Sequence, residues 1–222
     1  MFAGHLAVAL GAKTAQPRAP LAAYVAAAYG LDVVWPVFLL TGMERVRIQP
    51  GATAFTPLDF VSYPWSHSLL MSVVWGAVAA FVASRFPGTR RVALLIGLVV
   101  VSHWLLDWLT HIPDLALWPG GPRTGLGLWD SIPATVVVEG SLIGAAAVVY
   151  ARAMPARDRL GSWAFWLFIL TVTAIWISGP FSPPPPSVKA VIVVTLLLAP
   201  TLPACAAWID RHRGPGAGAA AA

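Results

Sequence analysis

Residues 102–111 read SHWLLDWLTH and place His103, Asp107 and His111 at steps of four within an otherwise apolar stretch. Side chains four apart lie about one turn above one another on the same face of an α-helix. The spacing therefore predicts two imidazoles and a carboxylate directed at one place, a donor set for a divalent ion. His5, Asp32, His67 and Glu139 also lie in or at the edge of apolar segments. A carboxylate at membrane depth costs about 2.5 to 3.5 kcal/mol on insertion scales unless it is paired or faces water. Pairing needs a cation, and the interiors of these apolar segments contain no Lys or Arg. That leaves protonated histidines or metal ions as counter-charges, and three acids among four histidines favour the metal. The plainer alternative is a hydrogen-bonded polar seam between helices. For Asp32 it takes the form of a kink stabilised near Pro36, and for Glu139 that of a helix-packing hydrogen bond.

The elements that must carry these residues follow from composition. Of 222 residues, 58% are hydrophobic and only 10% charged, with a mean hydropathy of +0.75. Soluble domains are about half apolar and a quarter charged, so the chain is expected to be an all-α polytopic membrane bundle. Its net charge of +5 bears on topology first, and no basic run interleaved with aromatics suggests nucleic acid. The single Cys205 has no partner for a disulfide or a thiolate metal site. The opening MFAGHLAVALGAK lacks a basic n-region, so it does not read as a cleaved signal peptide.

Apolar runs of roughly 20 residues mark spanning helices at residues 21–41, 66–85, 91–111, 133–152, 162–180 and 188–209. Residues 1–12 cover only about 18 Å as a helix and read as a half-span. One integral membrane domain, 1–210, is expected, with the metal site drawn from 1–140. A disordered cytoplasmic tail is expected over 211–222, and FSPPPPS at 181–187 reads as a stiff connector. Counting crossings puts Lys13, Arg18, Arg85, Arg90, Arg91, Arg152, Arg157, Arg159, Arg211 and Arg213 on one side, and Arg45, Arg47, Arg123 and Lys189 on the other. The richer side is cytoplasmic by the positive-inside rule. The two long connections, TGMERVRIQPGATAFTPLDFVSYPWS and IPDLALWPGGPRTGLGLWDSIP, then lie outside. Measured from the basic side along ideal helices, Asp32, His67, His103, Asp107, His111 and Glu139 come out at about 18 to 30 Å, and His5, counted from Lys13, at about 12 Å. A single outward-opening polar pocket is expected.

The order Gly4-His5, Asp32 in LDVVWP, His67 in WSHSLL, then His103, Asp107 and His111 in SHWLLDWLTH resembles the membrane-bound metal-dependent hydrolases of the YdjM-like family over residues 1–115. It is also similar to the ligand order of the zinc-dependent phospholipase C and nuclease group. That resemblance implies His5, Asp32, His67, His103, Asp107 and His111 as ligands, with Glu139 as a later carboxylate ligand or base. Ser68 stands after His67, where that family usually carries Arg, and Asp32 has no second Asp beside it.

The expected protein is a hydrolase of the prokaryotic plasma (inner) membrane with its site toward the outside. It would hold one to three zinc ions, with manganese, iron or nickel also compatible with His and carboxylate donors. A metal-acidified water would attack phosphorus or a carbonyl, with Asp32 or Glu139 taking the proton. Membrane lipids are the expected partners, and a lipid or lipid-linked phosphoester the expected substrate. Arg45, Arg47 and Arg123 are candidates for a phosphate contact, and Asp114 and Asp130 for helix caps or weaker site roles. A metal- or proton-coupled transporter and a structural protein with an inert ion are the rival classes. A transporter should show repeated halves, which this sequence lacks.

Overall fold

The computed structural model describes residues 1–86 and 90–215. Over these residues the chain forms α1 (Ala3–Ala15), α2 (Leu21–Ala28), α3 (Gly30–Leu40), α4 (Pro64–His67), α5 (Leu69–Ala83), α6 (Arg90–Thr110), α7 (Ile132–Ala153), α8 (Arg159–Ser178) and α9 (Val188–Arg211). Among the described residues, α6, α7, α8 and α9 are each long and apolar enough to cross a membrane, and α2 with α3 makes a fifth candidate bent by 46°. The all-α bundle is thus realised as that of an integral membrane protein, with four to five long candidate spans and a shorter apolar helix, α5, where about six spans were expected.

The differences from the expected spans have local causes. In 21–41 the bend falls at Tyr29, which ends α2 and opens α3, while Pro36 stays inside α3. Segment 66–85 is divided at Ser68, whose extended backbone ends α4 and whose hydroxyl accepts the Met71 N–H to cap α5. Only 15 residues then remain in α5, about 22 Å of helix against a hydrocarbon core of about 30 Å. At the end of 91–111, α6 stops at Thr110, because Pro113 disfavours helical backbone in the residue before it. His111 consequently leaves the helix that carries His103 and Asp107.

The half-span reading of the first segment fits α1, but its position is central. Ala3, Leu6, Ala9 and Leu10 are fully buried, and α1 packs against α7, α2 and α6. Its small alanines suit close helix packing, and Gly4 leaves room for the Met1 side chain. Lys13 is an internal tie at the end of α1: its ammonium donates to Asp210 Oδ2, near the end of α9, and to the carbonyls of Pro17 and Ala19. Arg213 is likewise buried and donates to the carbonyls of Met154, Gly161 and Ala151. The expected disordered tail is therefore corrected at its start, since Arg211 closes α9 and Arg213 is fixed. Residues 216–222 lie outside the described residues.

Helices α5 and α6 cross at two glycines. A Cβ added to Gly76 would come within 2.8 Å of Gly97 O, and one added to Gly97 within 2.8 Å of Gly76 O. This crossing ties the segment that follows His67 to the helix that carries His103 and Asp107. Both long connections are folded, which the helical patterning did not anticipate. In the first, β1 (Arg45–Ile48) pairs antiparallel with β2 (Leu58–Ser62), and in the second β3 (Leu115–Ala116) pairs with β4 (Arg123–Thr124). Trp35, Val46, Tyr63, Trp104 and Leu115 form a separate apolar cluster joining these strands to α3 and α6.

Candidate metal centre

Five of the seven sequence-predicted ligands come together. His5 on α1, Asp32 in the first turn of α3, His67 at the end of α4, and His103 and Asp107 on α6 form two overlapping groups. One is His5, His103 and Asp107, the other Asp32, His67 and His103. Asp107 joins them: Oδ1 lies 3.1 Å from His5 Nε2, while Oδ2 lies 3.1 Å from His103 Nε2 and 3.8 Å from His67 Nε2. Asp32 Oδ1 stands 3.5 Å from His67 Nε2 and 3.7 Å from His103 Nε2.

These separations fit shared coordination. Zinc bonds of about 2.0–2.1 Å to His and carboxylate in a tetrahedron put neighbouring donor atoms about 3.3–3.4 Å apart, within the span of the distances found. At 3.1 Å the contacts of His5 and His103 with Asp107 are close enough for ion pairs, but neither buried Nε2 makes a well-directed hydrogen bond. Buried polar atoms without partners are uncommon, and two imidazole nitrogens directed at opposite oxygens of one carboxylate suit a metal ion. The two rings stack with centroids 3.7 Å apart and planes 8° apart.

Of the remaining ring nitrogens, that of His5 is buried without a partner, whereas that of His103 sets its tautomer. His103 Nδ1 lies 2.7 Å from Ala28 O; a carbonyl only accepts, so Nδ1 carries the proton and Nε2 keeps its lone pair. Such outer partners commonly orient metal-binding histidines. The α2–α3 bend follows directly after Ala28 and so sets both this carbonyl and Asp32. The Met1 nitrogen is ion-paired with Asp107 Oδ1.

His111 and Glu139 are not in either group. His111, just past α6, has Nδ1 3.0 Å from both the Tyr63 hydroxyl and Asp114 Oδ1, and Tyr63 donates to that same oxygen at 2.5 Å. Its ring packs on Trp129 and Phe60 and lines the cavity above the centre. Glu139 Oε2 accepts the N–H groups of Phe2, Ala3 and Gly4 at 3.0 to 3.3 Å. It serves the free amides at the start of α1, the favourable end for an anion. The helix-packing alternative describes this oxygen. Asp114 belongs with His111, while Asp130 sits in a short turn before α7.

The centre opens into a cavity of about 220 Å³ lined by Asp32, His67, Asp107 and His111 on its polar side. The apolar wall includes Trp35, Phe60 and Trp129, together with Leu198, Ala199 and Leu202 of α9. A helix without any candidate ligand thus shapes the site. Arg45, Arg47 and Arg123 are not among its lining residues: Arg47 pairs with Asp59, and Arg123 donates to Val61 O. Sequence reasoning also missed Glu44, which is 1% exposed. It lies in MERVR of the first long connection, outside the apolar segments in which polar residues stood out. Comparisons with protein families, curated proteins and solved structures gave no match to this chain.

Proposed function

We propose that the protein is a membrane-embedded, metal-dependent hydrolase, with zinc as its ion, acting on the phosphoester of a lipid or lipid-linked headgroup. The observation that carries this reading is the pair of buried imidazole nitrogens that face opposite oxygens of Asp107 without a well-directed hydrogen bond, beneath a largely apolar cavity. His5, His103 and Asp107 would hold one ion, and His67 with Asp32 would complete the set toward the cavity. A divalent ion there supplies positive charge for phosphoryl oxygens and acidifies a bound water.

The chain's own residues divide the remaining work. Asp32 is the better proton acceptor of the two candidate carboxylates: its side chain is 33% exposed and lines the cavity, whereas Glu139 Oε2 is engaged by three amides. The α9 wall with Trp35 and Phe60 suits an acyl or prenyl chain, while the polar side receives the headgroup. The motif likeness to the YdjM-like hydrolases supports the same class, and the excess of basic residues opposite the two long connections supports an outward-facing site in a prokaryotic inner membrane.

Purified, zinc-loaded protein should release a phosphorylated headgroup or inorganic phosphate from detergent-dispersed lipids and lose that activity with chelator. No release across a broad lipid panel, with ion flux in proteoliposomes, would replace this reading with a transporter. Orientation is tested separately in a Cys205→Ser background. An impermeant thiol reagent should label Ala54→Cys from outside the cell but not Arg90→Cys, and the reverse pattern would put the site on the cytoplasmic side.

A further inference from the structure

Beyond the ligands, a hydrogen-bond chain runs into the site from the first outer connection. Glu44 Oε1 accepts the N–H groups of Trp65 and Ser66, both at 2.8 Å, and Oε2 accepts the Ser66 hydroxyl at 2.7 Å. Ser66 Oγ is in turn 2.7 Å from His67 Nδ1. Glu44, Ser66 and His67 are all buried. A serine hydroxyl has one proton. The carboxylate oxygen at 2.7 Å takes it in preference to Tyr63 O at 3.5 Å. Oγ must then accept from His67, which puts the imidazole proton on Nδ1 and leaves the Nε2 lone pair facing Asp32 and Asp107.

We propose that Glu44, acting through Ser66, is a positioning residue that fixes the metal-binding tautomer of His67. The inference rests on the metal-centre reading and adds two residues that the ligand motif does not include. The simpler role for Glu44, capping the start of α4 through the Trp65 and Ser66 amides, involves Oε1 alone. The second oxygen is what reaches the ligand.

The two roles differ in what a glutamine does. In Glu44→Gln the amide oxygen can keep both backbone N–H groups, which places the NH2 against Ser66 Oγ. Ser66 then accepts from Gln and gives its proton to His67 Nδ1 at 2.7 Å in preference to Tyr63 O at 3.5 Å. The tautomer reverses, and Nε2 carries a proton where the metal needs a lone pair. Ser66→Ala removes the link without imposing the wrong tautomer. The chain therefore makes the near-isosteric change at Glu44 the more damaging one, and predicts that adding Ser66→Ala to Glu44→Gln restores part of the loss.

The test uses the full chain in detergent, with Co2+ as the probe and its ligand-field absorption as the readout. Glu44→Gln should weaken Co2+ binding by about 10- to 100-fold, the range of outer-shell changes at metal histidines. Ser66→Ala should cost less, Ser66→Thr should bind like the parent, and the Glu44→Gln/Ser66→Ala pair should bind more tightly than Glu44→Gln alone. In metal-free, 15N-histidine-labelled protein, with His67→Ala for assignment, the parent should carry the His67 proton on Nδ1 and Glu44→Gln on Nε2. Additive losses in the pair, with Nδ1 protonated in both proteins, would overturn the proposal and leave Glu44 a helix cap. A parent chain that takes up no Co2+ overturns the metal-centre reading instead, and the tautomer measurement still decides the chain of bonds.

Discussion

The two halves of the centre share His103 and differ in their access to water. Asp107, in the inner group, is 2% exposed and has a basic nitrogen near each oxygen; Asp32, in the outer group, is 33% exposed and borders the cavity. Equal chemistry in unequal surroundings implies a division of labour. A charge taken out of water is tolerated only with its partners in place, which suits Asp107 to holding an ion. A carboxylate with solvent access can exchange a proton, which suits Asp32 to turnover.

The largest expected effect breaks the inner half. Asp107→Asn, or His103→Ala at the shared ligand, should reduce zinc affinity by more than the roughly 100-fold that outer-shell changes reach. Elemental analysis of protein purified without chelator reads this directly, and full occupancy in both variants would show that the ligand helix is misassigned. Asp32→Asn sharpens the contrast. Zinc should remain bound with a loss of about tenfold or less, below the upper range of outer-shell changes, while headgroup release falls far more; equal losses of metal in Asp32→Asn and Asp107→Asn would erase the distinction. The smallest effect is predicted for Glu139→Gln. Removing its charge from the start of α1 should lower stability by about 0.5–1 kcal/mol and leave zinc content unchanged, as judged by thermal unfolding and metal analysis together. Loss of the metal in that variant would return Glu139 to the ligand set.

Much of this contrast was legible in particular residues. His103 and Asp107 were found by spacing because one continuous helix enforces it. Asp32 and His67 were found because an acid or imidazole in an apolar run needs a partner. The same logic failed at His111, where Pro113 ends the helix and Tyr63 and Asp114 take Nδ1. At Glu139, depth along a helix located the residue but not its partner. For His5, depth was counted from Lys13, and the count could not show that Lys13 is tied to Asp210 near the end of α9.

The sequence by itself determined the membrane class, the helical architecture and four candidate ligands of the inner and outer groups on their segments, because hydropathy and helical period are local properties of the chain. It also marked His5 as a candidate from its place in an apolar opening. Only the tertiary structure decided that α1 sits centrally with His5 stacked on His103, that α9 walls the cavity, and that Glu44 reaches His67 through Ser66. The physical reason is that proton positions, access to water and the choice between ligand and cap depend on atoms brought from distant segments. Asp32 and Asp107 are the same residue type in similar apolar runs, and packing alone leaves one at the cavity and buries the other.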